Sequence, residues 1–269
     1  MINNDLSAKT HKKIQGLNHI GLVTLIKREV FRFLNVYTQT IMAPVITTLM
    51  FYIVFALAFG GEDRSIGDVS FLSFLAPGLV MMSMVQNAFA NTSSSLVISK
   101  VQGNIVDVLM PPLSALELYI GFAVGAILRG LIVGGCAVIA LSLIAPLLFH
   151  SVLVIFVFAV LGTLFLGSIG IAAGIWSEKF DHIAAVTNFI VTPMTFLSGT
   201  FYSLSQLPEF WQKLALINPF FYIIDGFRYG FIGQSDGNVL FGVVFLSLCN
   251  IAMIGLCYVM IKTGYKIKS

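Results

Sequence analysis

A chain of 269 residues in which 58% are hydrophobic and only 10% charged cannot coat a water-soluble surface, since a soluble domain of that length carries about 25% charged side chains. Lipid must therefore be the solvent for much of it. The net charge of +3 says little as a total and gives no sign of a nucleic-acid partner, but the placement of basic residues along the chain sets membrane orientation.

Residues 1–36 read as a polar, mixed cytoplasmic segment with no short apolar core followed by a small-residue cleavage site, so no cleavable leader is expected. Within it, Asn18 to Leu34 (NHIGLVTLIKREVFRFL) sets Ile20, Val23, Leu25, Ile26, Val30, Phe31 and Phe33 against Lys27, Arg28, Glu29 and Arg32. That pattern predicts an amphipathic helix in the membrane interface, with the plainer alternative of an anchor that only fixes the first span.

Residues 37–265 read as one transmembrane domain. A span needs roughly 20 mainly apolar residues to cross a hydrocarbon core about 30 Å thick. Six stretches qualify: Tyr37 to Phe59, Phe71 to Leu96, Leu118 to Ala145, Ser151 to Trp176, Ile183 to Leu204 and Val239 to Ile261. Pro44 and Pro193 fall inside the first and fifth, where a kink is expected.

Lys9, Lys12, Lys13, Lys27, Arg28 and Arg32 precede the first span, Lys262, Lys266 and Lys268 follow the last, and Lys100 and Lys179 lie in loops on that same face. The other face has Arg64, Lys213 and Arg228 among Glu62, Asp63, Asp68, Glu209, Asp225 and Asp236. Excess basic charge marks the cytoplasmic side, so both termini are expected there.

Between spans two and three, Val97 to Leu116 (VISKVQGNIVDVLMPPLSAL) predicts one short helix from about Ser99 to Met110, stopped by Pro111 and Pro112. Its Ile105, Val106, Val108, Leu109 and Met110 are more apolar surface than a solvated loop needs. A protein partner beneath the membrane would cover it, a plain interfacial helix being the alternative. Between spans five and six, Leu207 to Ile217 reads as amphipathic, Asn218-Pro219 as a break, and Phe220 to Gly233 as too short and too interrupted by Asp225, Gly226 and Arg228 to span. Two short helices dipping into the outer leaflet are predicted.

The chain has no Gly-Lys dipeptide and hence no GxxxxGK[ST] phosphate-binding loop. His11, His19, His150 and His182 form no HExxH pair, and no Cys or His spacing suggests a metal. Cys136, Cys249 and Cys257 sit in apolar runs as packing residues. No catalytic residues are expected. The polar residues within spans draw attention because they are costly there. Arg129 lies deep in span three, and Asn87 and Asn91, with Ser94 or Ser95, share one face of span two. Asn188, Thr192 and Thr195 share one face of span five. Such stripes line a substrate path or serve helix packing.

Four strings set in order against the six spans carry a likeness: FLAPGLVMMSMVQNAFANTSSS (74–95), GNIVDVLMPPLS (103–114), TPMTFLSGTFYSLSQLP (192–208) and NPFFYIIDGFRYGFIG (218–233). Over about residues 18–265 the chain resembles the permease subunits of type-2 ABC exporters. The resemblance implies an all-α membrane fold of six transmembrane helices. It adds an N-terminal interfacial elbow helix, a cytoplasmic coupling helix and short re-entrant helices between spans five and six.

The resemblance further implies a bacterial inner-membrane protein that pairs with a separate ABC ATP-binding subunit, which holds the ATP and magnesium, this chain having no cofactor. A second permease copy, as a homodimer, is implied too. The elbow (Lys27, Arg28, Arg32) would help hold the ATPase. The coupling helix would use Val101, Gln102, Asn104, Ile105, Asp107, Leu109 and Met110, with Val106 standing where a second acid is common. Spans two and five with part of span one would line the path, and the cargo would be a hydrophobic or amphiphilic, drug- or lipid-like molecule. The alternatives are a lipid-linked polysaccharide exporter, a scaffold protein, or a stand-alone carrier or channel. The last usually needs several buried acids along a relay.

Overall fold

The computed structural model describes residues 16–59, 65–66, 69–145 and 147–266. Lys9, Lys12, Lys13, His11, Glu62, Asp63, Arg64, Asp68 and Lys268, used above, lie outside them. The protein is mostly helical; among the described residues the one strand pairing is a two-residue antiparallel ribbon, Ser65–Ile66 with Val69–Ser70.

Helix α1 (His19–Leu34) begins where the Asn18 side chain accepts the Gly21 N–H at 3.0 Å, satisfying one of the amides that a helix start leaves unpaired. A π-turn (Thr38–Met42) then leads into α2 (Ala43–Phe59). Proline lacks an N–H and crowds the preceding turn, and the wider turn just before Pro44 absorbs this without breaking the helix. The same device recurs at Pro193. Helix α7 (Phe180–Val186), a π-turn (Thr187–Val191) and α8 (Thr192–Phe196) follow without a gap.

Helix α3 (Phe71–Val101) is the axis of the bundle, flanked by α5 (Ala115–Ser142) and α6 (Val152–Trp176). Of its most apolar 18-residue window 72% is buried, against 11% for Thr38–Phe59 and 17% for α11 (Val239–Thr263), which places those two on the outside. Small residues set the spacing. A Cβ on Gly170 of α6 would lie 2.2 Å from Thr92 Oγ1 and 2.5 Å from the Phe89 carbonyl oxygen, so α3 and α6 touch nearly backbone to backbone. The Thr92 hydroxyl donates across that seam to the Gly167 carbonyl at 2.8 Å.

Among the described residues five helices are long and apolar enough to cross a membrane: Thr38–Phe59, α3, α5, α6 and α11. The expected span Ile183 to Leu204 differs. Its helical run, segments of seven, five and five residues, stops at Phe196. Beyond it Gly199 adopts φ +74, and the Ser198 and Thr200 hydroxyls fold back onto the Thr195 carbonyl.

Two further expectations need correction. The Ser99–Met110 helix is divided: α3 runs on to Val101, Gly103 turns the chain at φ +75, and only Ile105–Leu109 forms α4. Within it Val108 is buried rather than exposed, packed in a cluster with Leu25, Leu96, Leu118, Ile171 and Ile175, against which Ile105 and Leu109 also rest. The second concerns the pair α9 (Glu209–Ile217) and α10 (Pro219–Ile232), which do break at Asn218-Pro219. Helix α10 is not interrupted by Asp225, Gly226 and Arg228 but runs through them, deep among α6, α3 and α11. Gly226 lies flat against the Phe158 ring, and both charged residues find partners inside.

Candidate functional site

Three polar constructions stand out in a molecule otherwise held by apolar packing. The first joins α1 to the axis. Glu29 is fully buried, and its carboxylate accepts from Arg32 Nε at 3.3 Å and an Arg32 terminal nitrogen at 3.2 Å, from Arg28 at 3.2 Å, and from the Ser95 hydroxyl of α3 at 2.8 Å. Arg32 then reaches α3 itself, donating to the Asn91 carbonyl at 2.7 Å, to Asn91 Oδ1 at 2.9 Å and to Ser94 at 3.3 Å. A carboxylate removed from water must have its lone pairs filled, and here two guanidinium groups and a hydroxyl fill them. Gly125 of α5 makes room, since a Cβ there would lie 2.8 Å from Glu29 Cβ. The Ile20 and Phe31 side chains of α1 remain exposed, so the helix has one face bonded into the bundle and another left apolar outside.

The start of α1 is tied down as well. Glu117 closes a capping box with Ser114 at the start of α5, accepting the Ser114 N–H at 2.6 Å, and its other oxygen accepts the Asn18 N–H. The Asn18 side chain donates to the Pro112 carbonyl at 3.3 Å. One carboxylate thus fixes the entry of α1, the exit of the α4 loop and the entry of α5. On the outer side of α4, Val101, Val106 and Met110 are exposed at 52%, 57% and 74%, with Gln102, Asn104 and Asp107 exposed beside them. Lys100 lies next to this surface and donates to the carbonyls of Ile175 and Ser177, capping the end of α6. Glu178 pairs with Lys266 at 3.0 Å, and the ammonium holds that carboxyl below the usual range. Lys27, Arg28, Arg32, Lys100, Lys262 and Lys266 all belong to this basic end.

The second construction is a groove of about 320 Å³ between the first span and α3. Gln39, Thr47, Gln86 and Asn87 are part of its polar lining, and Phe51 and Met82, one turn along from Thr47 and Gln86, part of its apolar lining. Asn87 Nδ2 donates to the Ser83 carbonyl at 3.0 Å, and its Oδ1 accepts from Arg129 at 2.9 Å. Arg129 is 8% exposed and its Nε has no hydrogen-bond partner.

The third lies at the opposite end. Arg228 is buried, its guanidinium 3.6 Å above the Phe74 ring, and it donates to the Gly199 carbonyl at 2.6 Å. Asp225, one turn earlier, accepts the N–H groups of Asp236 and Gly237 at 2.9 and 3.0 Å. Asp236 in turn accepts from the Ser203 hydroxyl at 2.6 Å and the Leu204 N–H at 2.8 Å. These bonds stitch the loops after α8 and α10 to the bundle.

The structure therefore brings Asn87 together with Arg129, and Asn91 together with Arg32. Asn188, Thr192 and Thr195 do not line the groove. Asn188 is exposed beside Phe189, Thr192 is half-buried, and the buried Thr195 hydroxyl donates within its own helix to Val191 and Thr192. Sequence reasoning met Glu29, Ser95, Asp225 and Arg228 but did not place them among the site residues or pair them. The one available signal was charge inside otherwise apolar faces. Among the described residues no group of three or more His, Cys, Asp or Glu side chains is placed to hold a metal.

The chain is similar to known proteins over most of its length. The sequence model described as ABC-2 type transporter matches residues 21–232. The inner membrane transport permease YadH of Escherichia coli strain K12 is 36% identical over 253 residues, covering 93% of this chain and 98% of that protein. Nodulation protein J of Rhizobium leguminosarum bv. viciae is 26% identical over 177 residues, 65% of this chain and 68% of its own. Nodulation protein J of Sinorhizobium fredii is 24% identical over 189 residues, 69% and 72% respectively.

Proposed function

The chain belongs to the ABC-2 type transporter family, as a multi-pass membrane permease of the inner-membrane type, and from that footing we propose that it is the membrane subunit of an ATP-driven exporter of amphiphilic molecules. Membership implies an ATP-binding partner subunit in which hydrolysis takes place.

One observation carries the reading. At the basic end, α4 presents Val106, Asp107 and Met110 outward while Val108 on its inner side is keyed between α1, α3, α5 and α6. An apolar patch with a single acid fits a partner protein, and a five-residue helix that follows α3 and shares one buried cluster with α1, α3, α5 and α6 passes displacement of that partner to the spans. The Glu117 bonds put the start of α1 in the same mechanical unit, and Lys27, Arg28 and Arg32 belong to that helix. Basic residues at this end favour a cytoplasmic position for it and for both termini.

In this proposal the kinked run from Phe180 to Phe196 and the loop to Leu204 complete a sixth crossing. Helices α9 and α10 close the outer end. Two copies meet so that the groove beside Asn87 faces a shared path, with the sparsely covered first span at the seam.

The test is ATP hydrolysis by the partner subunit reconstituted with this chain in vesicles. Met110→Glu and Val106→Glu should abolish stimulation while leaving expression and membrane insertion intact. Wild-type stimulation in both variants would refute the coupling role. Transport by this chain reconstituted alone would refute the exporter reading itself.

A further inference from the structure

Arg129 carries a charge that nothing in the described bundle neutralises. Its Asn87 partner is a neutral amide, its Nε is unbonded, and it forms no ion pair among the described residues. The buried Glu29 carboxylate is already committed to Arg28 and Arg32. The groove in front of Asn87 is lined by amides and hydroxyls and, one turn along each helix from Thr47 and Gln86, by Phe51 and Met82, and no carboxylate lines it. A buried guanidinium behind an amide, with apolar lining further along the groove, complements a molecule with a negative head and a hydrocarbon body.

Resting on the path assigned above, we propose that this groove selects amphiphiles with an anionic head group, such as a carboxylate or phosphate. Arg129 acts across the Asn87 carboxamide. With Oδ1 accepting from the guanidinium and one N–H donated to the Ser83 carbonyl, that amide is fixed in orientation and passes the positive potential on to the groove it lines. Gln86 and Gln39 hydrogen-bond the head, and Phe51 and Met82 receive the first carbons of the tail. Arg129 is thus a specificity-determining residue that acts through a neighbour.

Binding can be read on this chain alone, without an ATPase, so its outcome is independent of the coupling test. The purified chain in phosphatidylcholine nanodiscs is titrated with 11-(dansylamino)undecanoic acid and with its methyl ester, each corrected against protein-free discs. The wild type should bind the acid about tenfold tighter than the ester, the scale of one charge-assisted bond. Arg129→Gln should remove that preference and Arg129→Lys should keep most of it. Gln86→Glu, which places a like charge in the groove at a half-buried site, should weaken the acid far more than the ester.

Equal affinity of the wild type for acid and ester would overturn the proposal. So would an unchanged acid preference in Arg129→Gln with a normal elution profile and thermal midpoint. Should Arg129→Gln not fold, an unchanged preference in Gln86→Glu overturns it. Repeating the titration in phosphatidylglycerol discs separates two sources of the same chemistry. Weakened acid binding there assigns the site to a resident anionic lipid, and unchanged binding assigns it to a cargo; both uphold the anionic site.

Discussion

Glu29 offers the sharpest test of how α1 is held. Its carboxylate is fully buried and receives four hydrogen bonds, three from guanidinium groups and one from Ser95. Glu29→Gln keeps the shape but removes the negative charge and turns one accepting oxygen into an NH2 donor, so the bonds accepted at that position are lost and those at the remaining oxygen weaken. Arg28 is 42% exposed at its side chain and its bond is screened, leaving the two Arg32 bonds and the Ser95 bond to count. The expected loss is about 2 kcal/mol. For a chain of this size that is a fall of roughly 4–8 °C in the unfolding midpoint.

Arg32→Gln should cost more, about 3 kcal/mol, because it leaves a buried carboxylate with only an exposed arginine and the Ser95 hydroxyl, and also frees Asn91 and Ser94. The two changes touch one network, so the double variant should lose about 1 kcal/mol or more less than the sum of the singles. The assay is thermal unfolding of detergent-solubilised protein followed by size-exclusion fluorescence, completed as a double-mutant cycle. A midpoint for Glu29→Gln within 1 °C of wild type, or strict additivity in the cycle, would refute the picture of a buried lattice holding α1 to α3.

Gly170→Ala should lower the midpoint by the equivalent of about 2–3 kcal/mol, since its Cβ would overlap Thr92 Oγ1 and the Phe89 carbonyl. Gly135→Ala, which meets nothing within 4 Å, should be neutral or gain up to about 1 kcal/mol from helix propensity. Asp225→Ala should cost about 3 kcal/mol by orphaning the Asp236 and Gly237 amides beside a buried Arg228, whereas Asp225→Asn should cost less; equal midpoints would disprove the stitching role. Lys266 holds the folded-state pKa of Glu178 below its unfolded value, so the pair's contribution is present above the ordinary glutamate range and is lost as the pH falls through the depressed value. The midpoint difference between wild type and Glu178→Gln should therefore shrink on acidification, and a difference that grows would contradict that sign.

Apolar runs of span length made the membrane class and five of the six expected spans legible, with ends shifted by five residues or fewer. The break at Asn218-Pro219 was legible too, because the motif acts within one turn of the chain. The extent of Ile183 to Leu204 was not. Hydropathy there is continuous, and the helix stops at Phe196 because Gly199 turns the backbone and Arg228, 29 residues on, binds its carbonyl. The segment Val97 to Leu116 was legible as apolar but not as two-sided, since only packing in the cluster with Leu25, Leu118 and Ile171 determines that Val108 faces in while Met110 faces out.

By itself the sequence determined solvent and membrane class, because hydrophobicity summed over 20 residues is a local quantity that no folding can alter. It also supplied Asn87, Asn91 and Arg129 as costly polar residues in apolar surroundings. Tertiary structure alone decided their partners: Arg129 with Asn87 42 residues away, Arg32 with Asn91 59 residues away, Glu29 with Ser95 66 residues away. A hydrogen bond is decided by angstroms between helices, and helical periodicity names the face a side chain occupies without naming the helix that face will meet.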